Sequence, residues 1–154
     1  EIVAAATLFS ATVLLAALLH AAALGAQGLQ LGRDDLAPRE VRRAFPRWQG
    51  WIGASVHSMA EAGDARREGA DYLLAGPVYS TRSHPDRSAL GPAFVTEVAK
   101  LGLPVVAIGG ITPERCPDLR DAGAWGAAAI SALWQAPDPA QAAMAFLSAW
   151  TEPS

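Results

Sequence analysis

The pair Gly109-Gly110 closes the apolar run Val105–Ile108 and is followed at once by Thr112, Pro113 and Glu114. Thr112 can cap a helix, Pro113 suits a first helical position, and Glu114 complements a helix dipole. A strand, a bare-backbone turn and a fresh helix start leave N–H groups free at one sheet edge, where a phosphate fits. Ser131 and Ala132 end a second small-residue run, residues 127–130, and are expected beside that turn. Hydroxyls able to contact the rest of a phosphorylated ligand stand at Ser55, Thr81 and Ser83. Two histidines add proton chemistry: His84, in the loop with Thr81 and Ser83, and His57, two positions beyond Ser55. An imidazole titrates near neutrality, so it can take a proton and return it. Each group has a plainer alternative. His84 can be a solvated loop residue or a phosphate contact, His57 can pack near the Ser58 cap, Ser55 can be a small strand-end residue, and the loop hydroxyls can form turns. His20 lies in an apolar run and reads as packing.

To bring these groups together, several strands must end on one edge. Strands are expected at residues 27–31, 51–55, 71–75, 105–108 and 127–130, with residues 12–15 as a possible sixth. The pairs Gly25-Ala26, Gly69-Ala70 and Gly123-Ala124 each read as a helix-to-strand joint with glycine just past the helix end. Ser58-Met59-Ala60-Glu61 reads as a capping box, and Phe94, Val95, Val98 and Ala99 form an apolar stripe on the next helix. A helix opening at Pro38 carries Arg39, Arg42 and Arg43 on its wet face, and Trp48 and Trp51 read as packing anchors. Asp138 caps the last helix, residues 139–150, which aligns Ala143, Phe146, Leu147 and Trp150. Strands alternating with helices call for a parallel sheet, and a phosphate site after late strands fits a TIM (β/α)8 barrel. A complete barrel takes about 200 to 250 residues, against 154 here. Residues 1–154 therefore read as a single partial TIM-barrel domain lacking its first βαβ portion; a shortened open sheet is the alternative.

Hydrophobic residues make up 51% of the chain and the formal charge is −3, enough for a core and no electrostatic case for nucleic acid or an anionic membrane. The lone cysteine, Cys116, cannot form an internal disulfide, so a reducing, cytoplasmic setting is expected, with Cys116 itself structural. Residues 2–32 carry no charged side chain. Their alanine-rich centre, His20 and the missing cationic flank favour a helix packed on the barrel over a membrane segment. An open barrel edge would invite association, so a homo-oligomer is among the expectations.

The strings GLQLGRDDL, WIGASVHSMAEA, GADYLLAGPVYSTRSHPD, VVAIGGITPE and AAISAL, in this order across residues 25–133, resemble successive blocks of the thiamine-phosphate synthase and TenI family. The resemblance implies a TIM barrel acting in thiamine biosynthesis on a phosphorylated thiazole or pyrimidine. The synthase branch joins hydroxymethylpyrimidine diphosphate to thiazole phosphate, and implies Mg2+, an Asn-Asp pair, an early Arg and Lys, and a Lys in a Thr-x-Thr-Lys loop. Here Thr81-Arg82-Ser83-His84 fills that loop, Leu15-Ala16 falls where Asn-Asp would be, and Asp35 or its neighbour Asp34 matches a second metal carboxylate. The TenI branch resembles thiazole tautomerases, which move a proton on a thiazole carboxylate phosphate and need no metal. GLQLG, SVHS and the Ser-His-Pro loop look closer to that branch, although Pro77 stands where its catalytic histidine would. The expectation is accordingly a TenI-like tautomerase, an isomerase with His84 or His57 as proton carrier and no cofactor. A Mg2+-dependent synthase and a non-catalytic phosphate-binding or regulatory member are the alternatives.

Overall fold

A computed structural model describes residues 26–81 and 88–151. Five strands lie side by side in sequence order, all parallel: β1 (Gly28–Leu31), β2 (Trp51–Val56), β3 (Tyr72–Ala75), β4 (Val105–Ile108) and β5 (Gly126–Ala128). Helices α1 (Pro38–Ala44), α2 (Met59–Arg67) and α3 (Gly91–Ala99) return the chain after the first three strands. After β4 comes a 3-10 turn, Pro113–Arg115, and then α4 (Cys116–Asp121); α5 (Ser131–Trp134) and α6 (Pro139–Thr151) follow β5. Parallel neighbours joined by helical crossovers in unbroken order wind as the wall of a TIM barrel does. The expected α/β class and strand succession are both present.

One sheet face carries most of the core. Ile52, Ala54 and Val56 of β2, Leu73 and Ala75 of β3, and Val105 and Ala107 of β4 alternate onto it and are all buried. Ile52 packs with Leu31 and with Val41 of α1; against the others lie Ala62 and Ala65 of α2, Val95 and Val98 of α3, and Cys116 and Leu119 of α4. Fully burying a side chain such as Leu73 contributes about 1.5 to 3 kcal/mol. The residues between them in the strands, including Gln30, Ser55, Tyr72, Leu74, Val106 and Ile108, turn to the other face and are only half buried.

The helix signals work locally. Ser58 accepts a hydrogen bond from the Glu61 amide at 3.2 Å, and Asp138 Oδ1 accepts from the amides of Ala140 and Gln141 at 2.9 and 3.0 Å. Gly69 and Gly123 sit at helix-to-strand joints as expected, with φ of 86° and 89°. Several details depart from the sequence reading. The last strand stops at Ala128, because Ile130 already has helical backbone (φ −110°, ψ −71°) and Ser131 opens α5. Thr112 makes no side-chain cap. Leu147 is 45% exposed while Phe146, Ala149 and Trp150 pack on the core, so the apolar face of α6 is rotated from the expected one. Trp51 is 61% exposed and anchors nothing, whereas Trp48 packs beneath β1 and donates to the Ala26 carbonyl at 3.1 Å. The possible strand at residues 12–15, Leu15-Ala16, His20 and the Gly25 joint lie outside the described residues. Among the described residues no helix is long and apolar enough to cross a membrane.

Candidate functional site

The carboxyl ends of the strands carry Ser55, His57, Thr81, Gly109, Gly110, Ser131 and Ala132, the singled-out groups that are among the described residues. Strand register pairs Val56 with Ala75, Ala75 with Ala107, and Ile108 with Ala128, so the turns that follow leave the sheet at one level. Beyond β4, Val78 donates to the Ile108 carbonyl at 2.9 Å and Tyr79 to that of Gly109 at 3.0 Å, fastening the loop after β3 onto the Gly109-Gly110 turn. The Gly110 carbonyl accepts from Arg115, whose guanidinium lies 4.2 Å from the centre of the Tyr79 ring. Burial pushes the Tyr79 phenol above its ordinary value; Asp118 adds to this and Arg115 opposes it. With its carbonyl taken, the turn offers its donors: the Gly109 and Gly110 amides reach no backbone carbonyl among the described residues, and neither do those of Ser131 and Ala132 across β5. Amides left free on two adjacent strand ends are the kind of donors an anion cradle uses.

Ser55 and His57 stand at the end of β2. The Ser55 hydroxyl accepts from Gln30 Nε2 at 3.0 Å on the half-buried sheet face, so Ser55 is no mere spacer. His57 is held from one side. Its amide donates to Glu61 Oε2 at 2.7 Å, and its ring Nδ1 lies 3.0 Å from that oxygen. Glu61 Oε1 pairs with Arg33, which follows β1. Burial alone would raise the Glu61 carboxyl, but the hydrogen bonds from the His57 amide, the His57 ring and Arg33 outweigh it and hold the group below its ordinary value. Arg33, His57, Pro77, Ser88 and Leu90 line an open depression of about 230 Å³.

Sequence reasoning found His57 but treated Glu61 only as half of a capping box, and it passed over Arg33 and Gln30. A histidine and a glutamate four residues apart at a helix start were the available signal. Thr81 is half buried, three residues after Val78; Ser83 and His84 lie outside the described residues. Cys116 is buried, its thiol pushed up by burial and then by Glu114, in keeping with a structural role.

The family described as thiamine monophosphate synthase (TMP-TENI) matches residues 10–133. The chain belongs to that family. Among its relatives is the thiamine-phosphate synthase of Bacillus licheniformis, 42% identical over 126 residues, which are 80% of this chain and 55% of the relative. The thiamine-phosphate synthase of Thermus thermophilus is 44% identical over 128 residues, 82% of this chain and 61% of that protein. Among solved structures, thiamine phosphate pyrophosphorylase from Pyrococcus furiosus superposes with a TM-score of 0.78 at 34% identity, covering 86% of this chain and 63% of the other. The chain thus spans less than two thirds of the length of these family members.

These likenesses overturn the tautomerase expectation. The relatives carry the synthase name, and the site offers a reason. Pro77, in the place of the tautomerase histidine, is buried and carries no titrating group, and a Cβ on Gly109 would stand 2.7 Å from its Cα. The isomerase role given to His84 and His57 falls with that expectation. The features that had pointed to it, the short strings GLQLG and SVHS and the Ser-His-Pro loop at residues 83–85, are few beside the 126 to 128 residues aligned with the synthases.

Proposed function

We propose that this chain is the part of a thiamine-phosphate synthase that carries the phosphate cradle and the end of the substrate cleft formed by β1 to β3. The observation that carries the reading is the pair of adjacent strand-end turns, Gly109-Gly110 and Ser131-Ala132, whose amides reach no backbone carbonyl among the described residues, in a chain 42% and 44% identical to proteins of that name. The reaction is the coupling of hydroxymethylpyrimidine diphosphate with thiazole phosphate. The bond from the pyrimidine methylene to the diphosphate oxygen breaks and its electron pair leaves with the diphosphate. The lone pair of the thiazole nitrogen forms the new C–N bond, giving the thiazolium product. The amides of Gly109, Gly110, Ser131 and Ala132 hold the thiazole phosphate, where oriented N–H groups favour a dianion without a charged side chain. The hydroxyls of Ser55, with Gln30 behind it, and of Thr81 orient the pyrimidine partner. Ser83 and His84 are assigned to the same substrate from the resemblance of their loop. Holding both partners in line removes most of the entropy of their encounter.

Of the positions that the resemblance to synthases implies for Mg2+, Asp34 and Asp35 follow β1, and Leu15-Ala16 lie outside the described residues. Asp35 Oδ2 accepts from the Gly32 amide at 2.6 Å, and among the described residues no group of three or more His, Cys, Asp or Glu side chains converges there. The test is to give the full-length protein both substrates, with Mg2+ and with a chelator, and to follow thiamine phosphate and diphosphate by chromatography and mass spectrometry. Formation of both products in equal amounts, requiring both substrates, is expected. A protein that binds both substrates and releases neither product would end the reading.

A further inference from the structure

Glu61 does more than close a helix turn. Its Oε2 takes the His57 amide at 2.7 Å and faces the His57 ring Nδ1 at 3.0 Å, while its Oε1 takes Arg33. A carboxylate beside Nδ1 keeps a proton there, which leaves Nε2, on the far edge of the ring, to meet whatever enters the cleft. Among the described residues Nε2 has no hydrogen-bond partner, and His57 and Arg33 both line the depression with Pro77, Ser88 and Leu90. One carboxylate thus holds a ring and a guanidinium, from two different strand-end loops, against the same open space. The Ser58 hydroxyl accepts from the Glu61 amide, so that cap does not depend on the carboxylate.

We infer that Glu61 is a positioning residue that sets His57 and Arg33 as a paired receptor for the diphosphate group of the pyrimidine substrate. This rests on the coupling reaction proposed above. As the methylene–oxygen bond breaks and its electron pair passes to the diphosphate, the growing negative charge is met by the Nε2–H of the His57 imidazolium and by Arg33. The ring of the free protein carries its one proton on Nδ1, so Nε2 takes up a proton together with the incoming diphosphate, before the bond breaks. The thiazole phosphate is held elsewhere, at the Gly109-Gly110 and Ser131 turns, so the two anions do not compete for the same donors.

The experiment uses the 15N-labelled full-length protein titrated with inorganic diphosphate, with the His57 ring nitrogens followed by NMR. In the unaltered protein Nδ1 is expected to carry the proton in the neutral ring, and Nε2 to shift as diphosphate binds. Glu61→Gln, which keeps an acceptor for the His57 amide, is expected to redistribute the proton between the ring nitrogens and to weaken diphosphate binding about tenfold, the size of one lost charge-assisted hydrogen bond. Ser58→Ala weakens the same helix turn and is expected to leave both readouts unchanged. An Nε2 resonance unmoved by saturating diphosphate, or equal binding by Glu61→Gln and the unaltered protein, overturns the inference. In the coupling assay Glu61→Gln should lower kcat and raise KM for the pyrimidine diphosphate, with KM for the thiazole phosphate unchanged. If the unaltered protein makes no thiamine phosphate yet His57 responds to diphosphate, the synthase reading fails by itself; product formation with a silent His57 sinks this inference alone.

Discussion

At the amino-terminal edge of the sheet, charged and polar groups are spent on one another. Asp71 Oδ2 accepts from the Ile52 amide at 2.6 Å and from Arg42 at 2.7 Å; Arg42 also donates to the Gly50 carbonyl at 2.8 Å and lies 5.6 Å from the Trp48 ring centre. This knot ties α1 to the starts of β2 and β3, and Trp48 adds β1 through Ala26. At the carboxyl edge the partners run out: amides at Gly109, Gly110, Ser131 and Ala132 and the His57 Nε2 have none among the described residues. Unpaired polar groups at a sheet edge are tolerable where water or a ligand completes them and costly where neither does. The contrast is what the proposed function calls for, a stabilising edge and a binding edge, in a barrel whose chemistry sits at the strands' carboxyl ends.

The largest effect is expected where both roles meet in one residue. Gly110 has a φ of 63°, and a Cβ there would lie 2.5 Å from the Ser80 carbonyl oxygen and 2.9 Å from the Tyr79 Cβ. Gly110→Ala should destabilise the protein by about 2 to 4 kcal/mol, from left-handed backbone strain together with overpacking. It should also abolish measurable binding of the thiazole phosphate, because the loop after β3 must move off the turn. Urea unfolding and calorimetry with the phosphate read the two losses. Next in size, Asp71→Ala strips the amino edge of its shared acceptor and should cost about 2 to 3 kcal/mol, while thiazole phosphate affinity stays as it was. If that variant lost affinity as well, the division between the edges would not hold.

Most of the fold was legible because its signals are local. The run Val105–Ile108, the Ser58 and Asp138 caps and the Gly69 and Gly123 joints each depend on residues a few positions apart. The amino-edge knot was not legible. Arg42 reads as one more cation on a wet helix face, and only the fold brings Asp71 to it from 29 residues away. Glu61 misled for a related reason: its spacing from Ser58 matches a capping box, yet its carboxylate is drawn to His57 and, across 28 residues, to Arg33. The end of β5 ran long because Ala129 and Ile130 continue the small and apolar pattern while the backbone already turns into α5. The branch of the family was misjudged because the short strings GLQLG and SVHS and the Ser-His-Pro loop, residues 83–85, were weighed above the long stretch of chain shared with the synthases, and above Pro77, which spoke against the tautomerases.

Ser55 tests the binding edge without disturbing the other. Ser55→Ala removes the acceptor for Gln30 Nε2, which keeps a second acceptor in the Leu31 carbonyl at 3.2 Å. The expected loss of stability is no more than about 1 kcal/mol, while affinity for the pyrimidine diphosphate falls about tenfold. Equal affinity in a folded Ser55→Ala protein would make Ser55 part of the scaffold.

The smallest effect is also the most specific, because it asks whether the Glu61 cluster contributes to stability through its charge. The Glu61 carboxyl is held below the ordinary glutamate value of 4.5, against the upward push of burial, by His57 and Arg33. The unfolded chain therefore takes up a proton on this side chain before the folded chain does. The resulting stabilisation is fully present above the unfolded value and is lost as pH falls through the lowered, folded one. Urea unfolding of the unaltered protein and of Glu61→Gln, from about pH 7 to about pH 3, should show the unaltered protein's advantage shrinking over the acid part of that range. Glu61 is 30% exposed at its side chain and Arg33 53%, so solvent screens the pair and the advantage is small and weakened by salt. An advantage constant across the whole range would mean that Glu61 acts through shape and hydrogen bonding alone. The binding edge would then differ from the amino edge in having no charge-dependent stabilisation at this carboxylate, and Glu61→Gln would alter ligand recognition without altering the acid stability of the fold.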